Sequence, residues 1–488
     1  MKPHGPFQRQ GETVLQKIAA GLLPVLFAAL MQGAAAAAPS PVRGVVEGFY
    51  GKPWTQRQRT DMLAFCEAHG LNAYIYAPKD DPYHRAKWRE PYPKARLERL
   101  ASLVREARKR QVRFIFAVSP GLDFSYGPPG NAEDREKLLE KLEALYGIGV
   151  RDFAVFFDDI EKKDGRGQAE LLRWLDGNFV RAHGDVSPLL TVPAEYHLAD
   201  MQGADGLPKP YTKDFSGGLP KDAMPLFTGD GVVRAGLSGE TLDRAAGLYG
   251  RRLGLWWNYP VNDYMEAKLA LGPVEKLPKD GIPAIFFNPM TFEALSKIAL
   301  ATGAAYALDP EGYEPRAAWG KALREQYGDL APEMALFAEH SRHLENRWAN
   351  IGPPDGAALR AEMDAFWRAW PKGGDAGTRL AGLRQRFASL REAAVLLRSE
   401  LPEEQRRECK HQLKQLERLA EADGLALDLL EAIGAGNGKR AKKRKARLEK
   451  KLEKIAEGEK RARLSEATCR AFIEEALRFA AGEAAICP

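Results

Sequence analysis

Cysteine is scarce in this chain of 488 residues, with only Cys66, Cys409, Cys469 and Cys487. Four are too few for a disulfide framework but suit a single bridge in an oxidising compartment. Cys409, Cys469 and Cys487 lie in the C-terminal part and are available to pair there. Cys66 sits in a helical pattern and reads as a small buried hydrophobe. Histidine spacings of the HxxxH or HxH kind are missing, which removes the usual zinc signatures. The 46 Gly and 32 Pro show no three-residue period, so collagen-like and low-complexity architectures are excluded. Beyond residue 38 no segment is apolar enough to supply the ~20 residues a bilayer requires. Charge of one sign does not dominate either. The formal net charge of +6 is local: residues 1–38 carry a net of +2, and residues 439–463 hold 13 Lys or Arg against four Glu. Everything else sums to about −5, so the body is mildly acidic. With 45% hydrophobic and 28% charged residues, a wholly disordered chain is also excluded.

What is present begins with an N-terminal address. Lys2, Arg9 and Lys17 precede an uncharged apolar run from residue 18 to 31, then Gly33 and five alanines. A positive n-region, a 7–15-residue h-region and small residues at an A-x-A site are what signal peptidase needs. The run is too short to span a bilayer, and Gly21 and Pro24 weaken it further. The expectation is a signal peptide over 1–38, with cleavage near Ala37 or Ala38, and a secreted or periplasmic mature protein without a membrane span.

From 45 to 290, eight β-branched and aromatic runs alternate with helical patterns: 45–51, 73–78, 113–119, 153–159, 189–196, 225–230, 253–259 and 284–290. Such alternation implies parallel strands joined by right-handed crossovers. Eight repeats over ~250 residues match a (β/α)₈ TIM barrel, with a doubly wound open sheet as the rival. The 207–224 link is rich in Gly, Pro and Lys and reads as irregular. After about 310 the strand signal stops. Residues 333–348, 357–370, 379–398, 403–433, 439–457 and 464–481 read as helices separated by short breaks, giving an all-α helical bundle. The domain expectation is 39–308 for an α/β catalytic barrel and 309–488 for the bundle. In the basic stretch, Leu448, Leu452 and Ile455 form an apolar stripe and aromatics for base stacking are absent, so it reads as a solvated helix face and not a nucleic-acid site.

In a (β/α)₈ barrel, functional groups sit at the C-terminal strand ends. Those ends carry Gly48 with Tyr50, Lys79-Asp80-Asp81, Ser119, Asp158-Asp159, Glu195-Tyr196, Thr228 with Asp230, Asn258 with Asp263, and Asn288. The apolar run Phe153-Ala154-Val155-Phe156-Phe157 stops on two acids. A dry rim would raise at least one of their pKa values, through desolvation and like charge, which suits a general acid. Helix capping, a salt-bridged rim and metal ligation through Asp158, Asp159 and Glu161 are the competing readings. Two neighbours on one strand end do not easily occupy opposite faces of a sugar, as ordinary retaining or inverting glycosidases require. They can act together where a 2-acetamido group of the substrate is the nucleophile.

Five ordered motifs sharpen this. They are Val45-Val46-Glu47-Gly48-Phe49-Tyr50-Gly51-Lys52-Pro53-Trp54, Tyr76-Ala77-Pro78-Lys79-Asp80-Asp81, Ser119-Pro120-Gly121-Leu122, Phe157-Asp158-Asp159-Ile160, and Trp257-Asn258 with Asn262-Asp263-Tyr264. Over about 44–300 the chain resembles the O-GlcNAcase family, the β-N-acetylglucosaminidases of glycoside hydrolase family eighty-four. The resemblance implies a TIM barrel, retention through an oxazoline intermediate, and neither metal nor cofactor. It also implies roles: Asp158 as the acetamide-polarising acid, Asp159 as general acid/base, and Gly48 and Lys79 as sugar contacts. Tyr196 closes over the acetamide, Trp256 lines the acetyl pocket, and Asn258, Asp263 and Asn288 hold sugar oxygens. The partners so implied are GlcNAc-bearing glycoconjugates or glycopeptides. An endo-acting hyaluronidase and a catalytically inactive carbohydrate-binding protein are the alternatives. The bundle's role stands between shaping the cleft for peptide aglycones and forming a homodimer.

Overall fold

The computed structural model describes Met1, residues 41–370 and residues 375–483. The expected signal peptide and Cys487 lie outside the described residues, apart from Met1.

Eight strands form a closed parallel barrel in sequential order. They are β1 (Val42–Glu47), β2 (Ala73–Tyr76), β3 (Arg113–Val118), β4 (Asp152–Phe156), β5 (Leu190–Val192), β6 (Met224–Phe227), β7 (Gly254–Trp257) and β8 (Ala284–Phe287). Closure is made by β1 on β8, with Val42 opposite Ala284. The period of two divides each strand between two cores. Val46, Ile75, Ala77, Ile115, Ala117, Ala154, Phe156, Leu226, Trp256 and Phe286 fill the barrel. Their neighbours Val45, Tyr74, Tyr76, Phe116, Val155, Trp257 and Phe287 face the helices. Both faces are dry, which is why these runs read as continuously apolar rather than alternating. At Gly44 the first two strands come so close that a Cβ would lie 2.1 Å from the Ala73 carbonyl oxygen.

The helices packed outside are α1 (Gln56–Ala68), α2 (Lys94–Lys109), α3 (Gly130–Gly147), α4 (Gly165–Leu175), α5 (Pro210–Gly218), α6 (Gly239–Tyr249) and α7 (Glu293–Leu308). Their starts follow local chemistry. Thr55 and Gln58 make a reciprocal capping box at α1, and Asp164 accepts from Gly167 N at α4. The link expected to be irregular contains α5, which begins on Pro210 at a position where a missing N–H costs nothing. Between β7 and β8 there is only a 3₁₀ turn, Asp263–Met265. Cys66 is fully buried in α1, as its pattern predicts.

Beyond α7 come α8 (Pro315–Tyr327), α9 (Ala331–Glu339), α10 (Ala357–Ala369), α11 (Ala376–Glu400), α12 (Glu403–Gly434), α13 (Gly438–Glu459) and α14 (Ala471–Ala480). One expectation is corrected here: residues 333–348 are not a single helix. α9 stops at Glu339, and a short antiparallel hairpin, β9 (Leu344–Glu345) with β10 (Asn350–Ile351), follows. The competing chemistry is polar. Asn346 Oδ1 accepts from Trp348 N and Ala349 N, and Asp355 Oδ1 accepts from Arg342 N and His343 N. These side-chain bonds offer the backbone an alternative to the helix. α8 was also not foreseen from the sequence. Cys409 and Cys469 are both buried free thiols, so they do not pair with each other.

The helical region is fastened to the barrel. Glu408 on α12 accepts from Ala294 N and Leu295 N, capping the start of α7 from outside. Buried Lys268, in the loop after β7, donates to the His343 carbonyl at 2.9 Å and pairs with Glu466 at 2.6 Å. That lysine ties the hairpin to the mouth of the barrel. Among the described residues no helix is long and apolar enough to cross a membrane.

Candidate active site

The inward parity of the strands continues past their ends and builds the site. Val46 leads to Gly48, Ala77 to Lys79, Phe156 to Asp158, Trp256 to Asn258 and Phe286 to Asn288, each two residues further on. All of them, with Asp159, Tyr196, Trp256 and Asp263, line one cavity of about 710 Å³. Every residue to which the resemblance gives a role is therefore brought together, whereas Asp80, Asp81, Ser119, Glu195 and Asp230 at the same strand ends do not line this cavity. Asp159 is the member with the wrong parity. It reaches the cavity because its backbone turns into the left-handed region at φ 54°, a conformation a non-glycine residue seldom adopts.

Gly48 is required by packing. A Cβ there would lie 2.3 Å from Trp256 Cζ2, so the indole could not occupy its place. Trp256 is buried and donates through Nε1 to Asn258 Oδ1 at 2.8 Å. Asn258 Oδ1 also accepts from Asn288 Nδ2 at 3.0 Å, and its own Nδ2 donates to the Val232 carbonyl. The three side chains form one oriented wall. Asn288 Oδ1 is buried and receives no donor from the protein.

The adjacent acids are held differently. Asp158 is buried, and its Oδ2 forms an ion pair with buried Lys79. Its Oδ1 is buried without a protein donor. Asp159 is open to the cavity and accepts two phenolic hydrogen bonds, from Tyr50 at 2.7 Å and from Tyr196 at 2.8 Å. Arg85 donates to the Tyr50 hydroxyl and to the Asp159 carbonyl, both at 2.8 Å. Burial pushes the Asp159 carboxyl up, but the Lys79 charge, the two tyrosine donors and Arg85 together hold it below the ordinary carboxylate range. Asp159 is therefore not an acid raised by a dry rim, because its neighbours are donors and cations. The raised carboxyl is Asp263, lifted first by burial and further by the Asp159 charge, while its Oδ2 accepts from Tyr50 N at 2.8 Å.

Several lining groups carry no motif assignment. Tyr50 and Thr228 stand at foreseen strand ends without one. Val232, Val233 and Arg234 come from the loop after β6, which no sequence pattern marks. Trp348 enters from the β9–β10 turn, more than half exposed, and was hidden in a stretch read as helix. Among the described residues no three His, Cys, Asp or Glu side chains converge as a metal site.

A closed (β/α)₈ barrel whose C-terminal mouth holds two neighbouring carboxylates over an aromatic and amide-lined cavity defines a glycoside-hydrolase type of site. The chain belongs to the beta-N-acetylglucosaminidase family, whose model matches residues 43–339. Residues 358–473 match a second family, described as hyaluronidase post-catalytic domain-like. The chain is similar to the mouse and rat proteins named Protein O-GlcNAcase, at 33% identity over 282 residues. That alignment covers 55% of this chain but only 30% of each relative, so the chain spans under a third of their length. Among solved structures it is similar to CpGH84B, with 36% identity and a TM-score of 0.84 over 89% of this chain and 76% of the other. It is also similar to a Thermobaculum terrenum O-GlcNAc hydrolase mutant, at 26% identity and a TM-score of 0.80, covering 90% and 94% of the two chains.

Proposed function

We propose that this protein is an exported, retaining exo-β-N-acetylglucosaminidase that removes terminal β-linked GlcNAc, including O-GlcNAc on peptides, by substrate-assisted catalysis. The observation that carries the reading is Asp158. Its Oδ2 is committed to Lys79, while its buried Oδ1 has no donor from the protein. An unsatisfied buried acceptor beside a second acid is the arrangement that an acetamide N–H would complete. Export is supported by the N-terminal sequence pattern alone.

In this reading Asp158 accepts the acetamide N–H and increases the electron density on its carbonyl oxygen. That oxygen attacks the anomeric carbon as the glycosidic bond breaks, and Asp159 gives its proton to the departing oxygen. The product is a cyclic oxazoline, its N–H proton having passed to Asp158, which returns it to nitrogen when the ring reopens. Asp159, now a carboxylate, then takes a proton from water as the water attacks the same carbon and reopens the ring. Two inversions give retention. Because Tyr50 and Tyr196 favour the Asp159 anion in the open cavity, the substrate must take over part of their place for the acid to hold its proton. Asn258, Asp263 and Asn288 would hold sugar hydroxyls, and Trp256 would line the acetyl methyl. The volume falls within the roughly 300–1,000 Å³ typical of small-ligand pockets, which favours exo action on a terminal sugar.

The test is release of chromophore from an aryl β-N-acetylglucosaminide, run beside a measurement of hyaluronan chain length. Chromophore release with hyaluronan left intact supports the proposal. Shortened hyaluronan would favour the endo-acting alternative, and neither activity would favour a carbohydrate-binding protein.

A further inference from the structure

We propose that the groove between α12 and α13 binds an acidic polysaccharide chain through its carboxylate or sulfate groups. The groove encloses about 630 Å³ and shares no residue with the cavity at the barrel mouth. Lys414 and Arg418 line it from α12, and Lys454 and Arg461 from α13 and the turn after it. The one carboxylate in the lining, Glu457, is already paired with Lys460 at 2.8 Å. Lys414, Lys454 and Arg461 have no ion-pair partner among the described residues. The walls are set by direct helix contact. Gln415 Nε2 donates to the Ile455 carbonyl at 2.8 Å, and a Cβ on Gly458 would lie 2.2 Å from Gln415 Oε1.

The cations continue beyond the groove. Arg440, Arg447 and Lys454 repeat at seven-residue intervals, two helical turns apart, and Lys443 and Lys450 fall between them on the same side. All five are exposed, whereas Leu448 and Ile455 turn inward and are fully buried. The result is a cationic stripe about 20 Å long from Arg440 to Lys454 that leads into the groove. The field is felt by His411 in the same lining. Burial first, then the charges of Lys410, Arg461 and Lys414, press its pKa below the ordinary value.

The chemistry of the lining selects among polyanions. A membrane surface needs exposed apolar side chains to insert, and here the apolar stripe is spent on packing against α12. Single-stranded nucleic acid needs aromatic platforms, and none lines the groove. A hydrophilic, flexible chain with regularly spaced acidic groups meets none of these objections. This inference stands independently of the proposed hydrolase activity.

The experiment measures fluorescence anisotropy of labelled heparin-derived and hyaluronan oligosaccharides with the full-length protein across a salt series. The expected result is saturable binding to at least one of them that weakens steadily with salt, as counterion release requires. The double variant K454Q/R461Q should lose about tenfold or more in affinity, and K454R/R461K should keep it. Both variants should melt as the unmodified protein does and hydrolyse an aryl β-N-acetylglucosaminide at its rate. Absence of saturable binding, equal binding by K454Q/R461Q, or tighter binding to duplex DNA or phosphatidylserine vesicles would overturn the proposal.

Discussion

The hydroxyl of Tyr50, three residues beyond the end of β1, donates to Asp159 Oδ2 at 2.7 Å across the mouth of the barrel. The phenol is itself oriented by Arg85 Nη1 at 2.8 Å. A tyrosine from the first strand unit therefore joins Lys79 in lowering the pKa of an acid from the fourth. Asp159 meets its two phenolic donors at the open cavity, while its neighbour Asp158 is paired with buried Lys79.

Tyr50→Phe should move the alkaline limb of the kcat/KM profile to higher pH. That limb reports the pKa of the general acid in the free enzyme. The Tyr50 hydrogen bond lowers the Asp159 pKa, so removing it lets the pKa rise and keeps the proton on to higher pH. The check is a pH–rate profile of both proteins on one aryl glycoside. A limb that stays in place or moves to lower pH would show that Asp159 is not the group being read.

Asp159→Ala should nearly abolish hydrolysis of substrates with poor leaving groups and spare those with very acidic phenols. Loss of a general acid costs ~10²–10⁴-fold when the departing oxygen needs a proton, and little when it does not. Rates across a series of substituted aryl glycosides measure this directly. An equal loss on every leaving group would remove Asp159 from the acid role.

Much of the site was legible because the barrel's period of two runs on through the strand ends. Once Phe156 is assigned inward, Asp158 is inward too, and the same step carries Val46 to Gly48 and Phe286 to Asn288. Asp159 was legible as the second acid at the end of an apolar run, but its entry into the cavity was not, since that depends on a left-handed backbone that no period foretells. Trp348 was not legible. Residues 333–348 contain enough apolar spacing to suggest a helix, and the outcome turns on Asn346 and Asp355, whose bonds to nearby N–H groups break it. Arg85 lies in the loop after β2, where sequence supplies no direction at all. The lowered pKa of Asp159 was not legible for a related reason: burial is visible in an apolar run, but donors arriving from the segments after β1 and β5 are not.

Gly48→Ala should raise KM for a simple aryl β-N-acetylglucosaminide. The added methyl group would meet Trp256 at 2.3 and 2.5 Å, so the indole must move and take Asn258 with it. Overpacking of this kind costs ~1–3 kcal/mol, distributed between stability and the shape of the cavity. Kinetics together with a thermal melt would measure both parts. Unchanged KM and an unchanged Tm would mean that the ring has room the structure does not show.

Trp348→Ala should weaken turnover of glycopeptides more than turnover of small aryl glycosides. Trp348 stands at the cavity mouth on the β9–β10 turn, where the part of the substrate beyond the first sugar would pass. Truncating a tryptophan that contacts a ligand costs more than ~1 kcal/mol, about fivefold or more in KM. The comparison is KM for an O-GlcNAc peptide against KM for the aryl glycoside. Because this residue lies beyond 308, cutting the chain there should damage the site as well as expose barrel surface. An unchanged ratio in Trp348→Ala would place the peptide on another wall.

The nucleophile can be tested through the substrate itself. If the acetamide oxygen attacks the anomeric carbon, its basicity must control the rate. Replacing the acetyl hydrogens one at a time with fluorine withdraws electrons from that oxygen while changing the sugar's shape little. The rate should fall steeply at each step, because the donation is completed only in the transition state. Asp158→Asn should slow the same step by about 2.7–4 kcal/mol, the loss expected for one preorganised electrostatic contact. The amide also leaves Lys79 buried without its ion-pair partner, so a melt of the variant must accompany the kinetics. With a carboxylate nucleophile the dependence on fluorine would instead be shallow, and a covalent glycosyl-enzyme would accumulate with a slow substrate. Mass spectrometry of the intact protein under those conditions decides between the two. A sugar adduct on any Asp or Glu would end the substrate-assisted reading, and the unpartnered Oδ1 of Asp158 leads us to expect none.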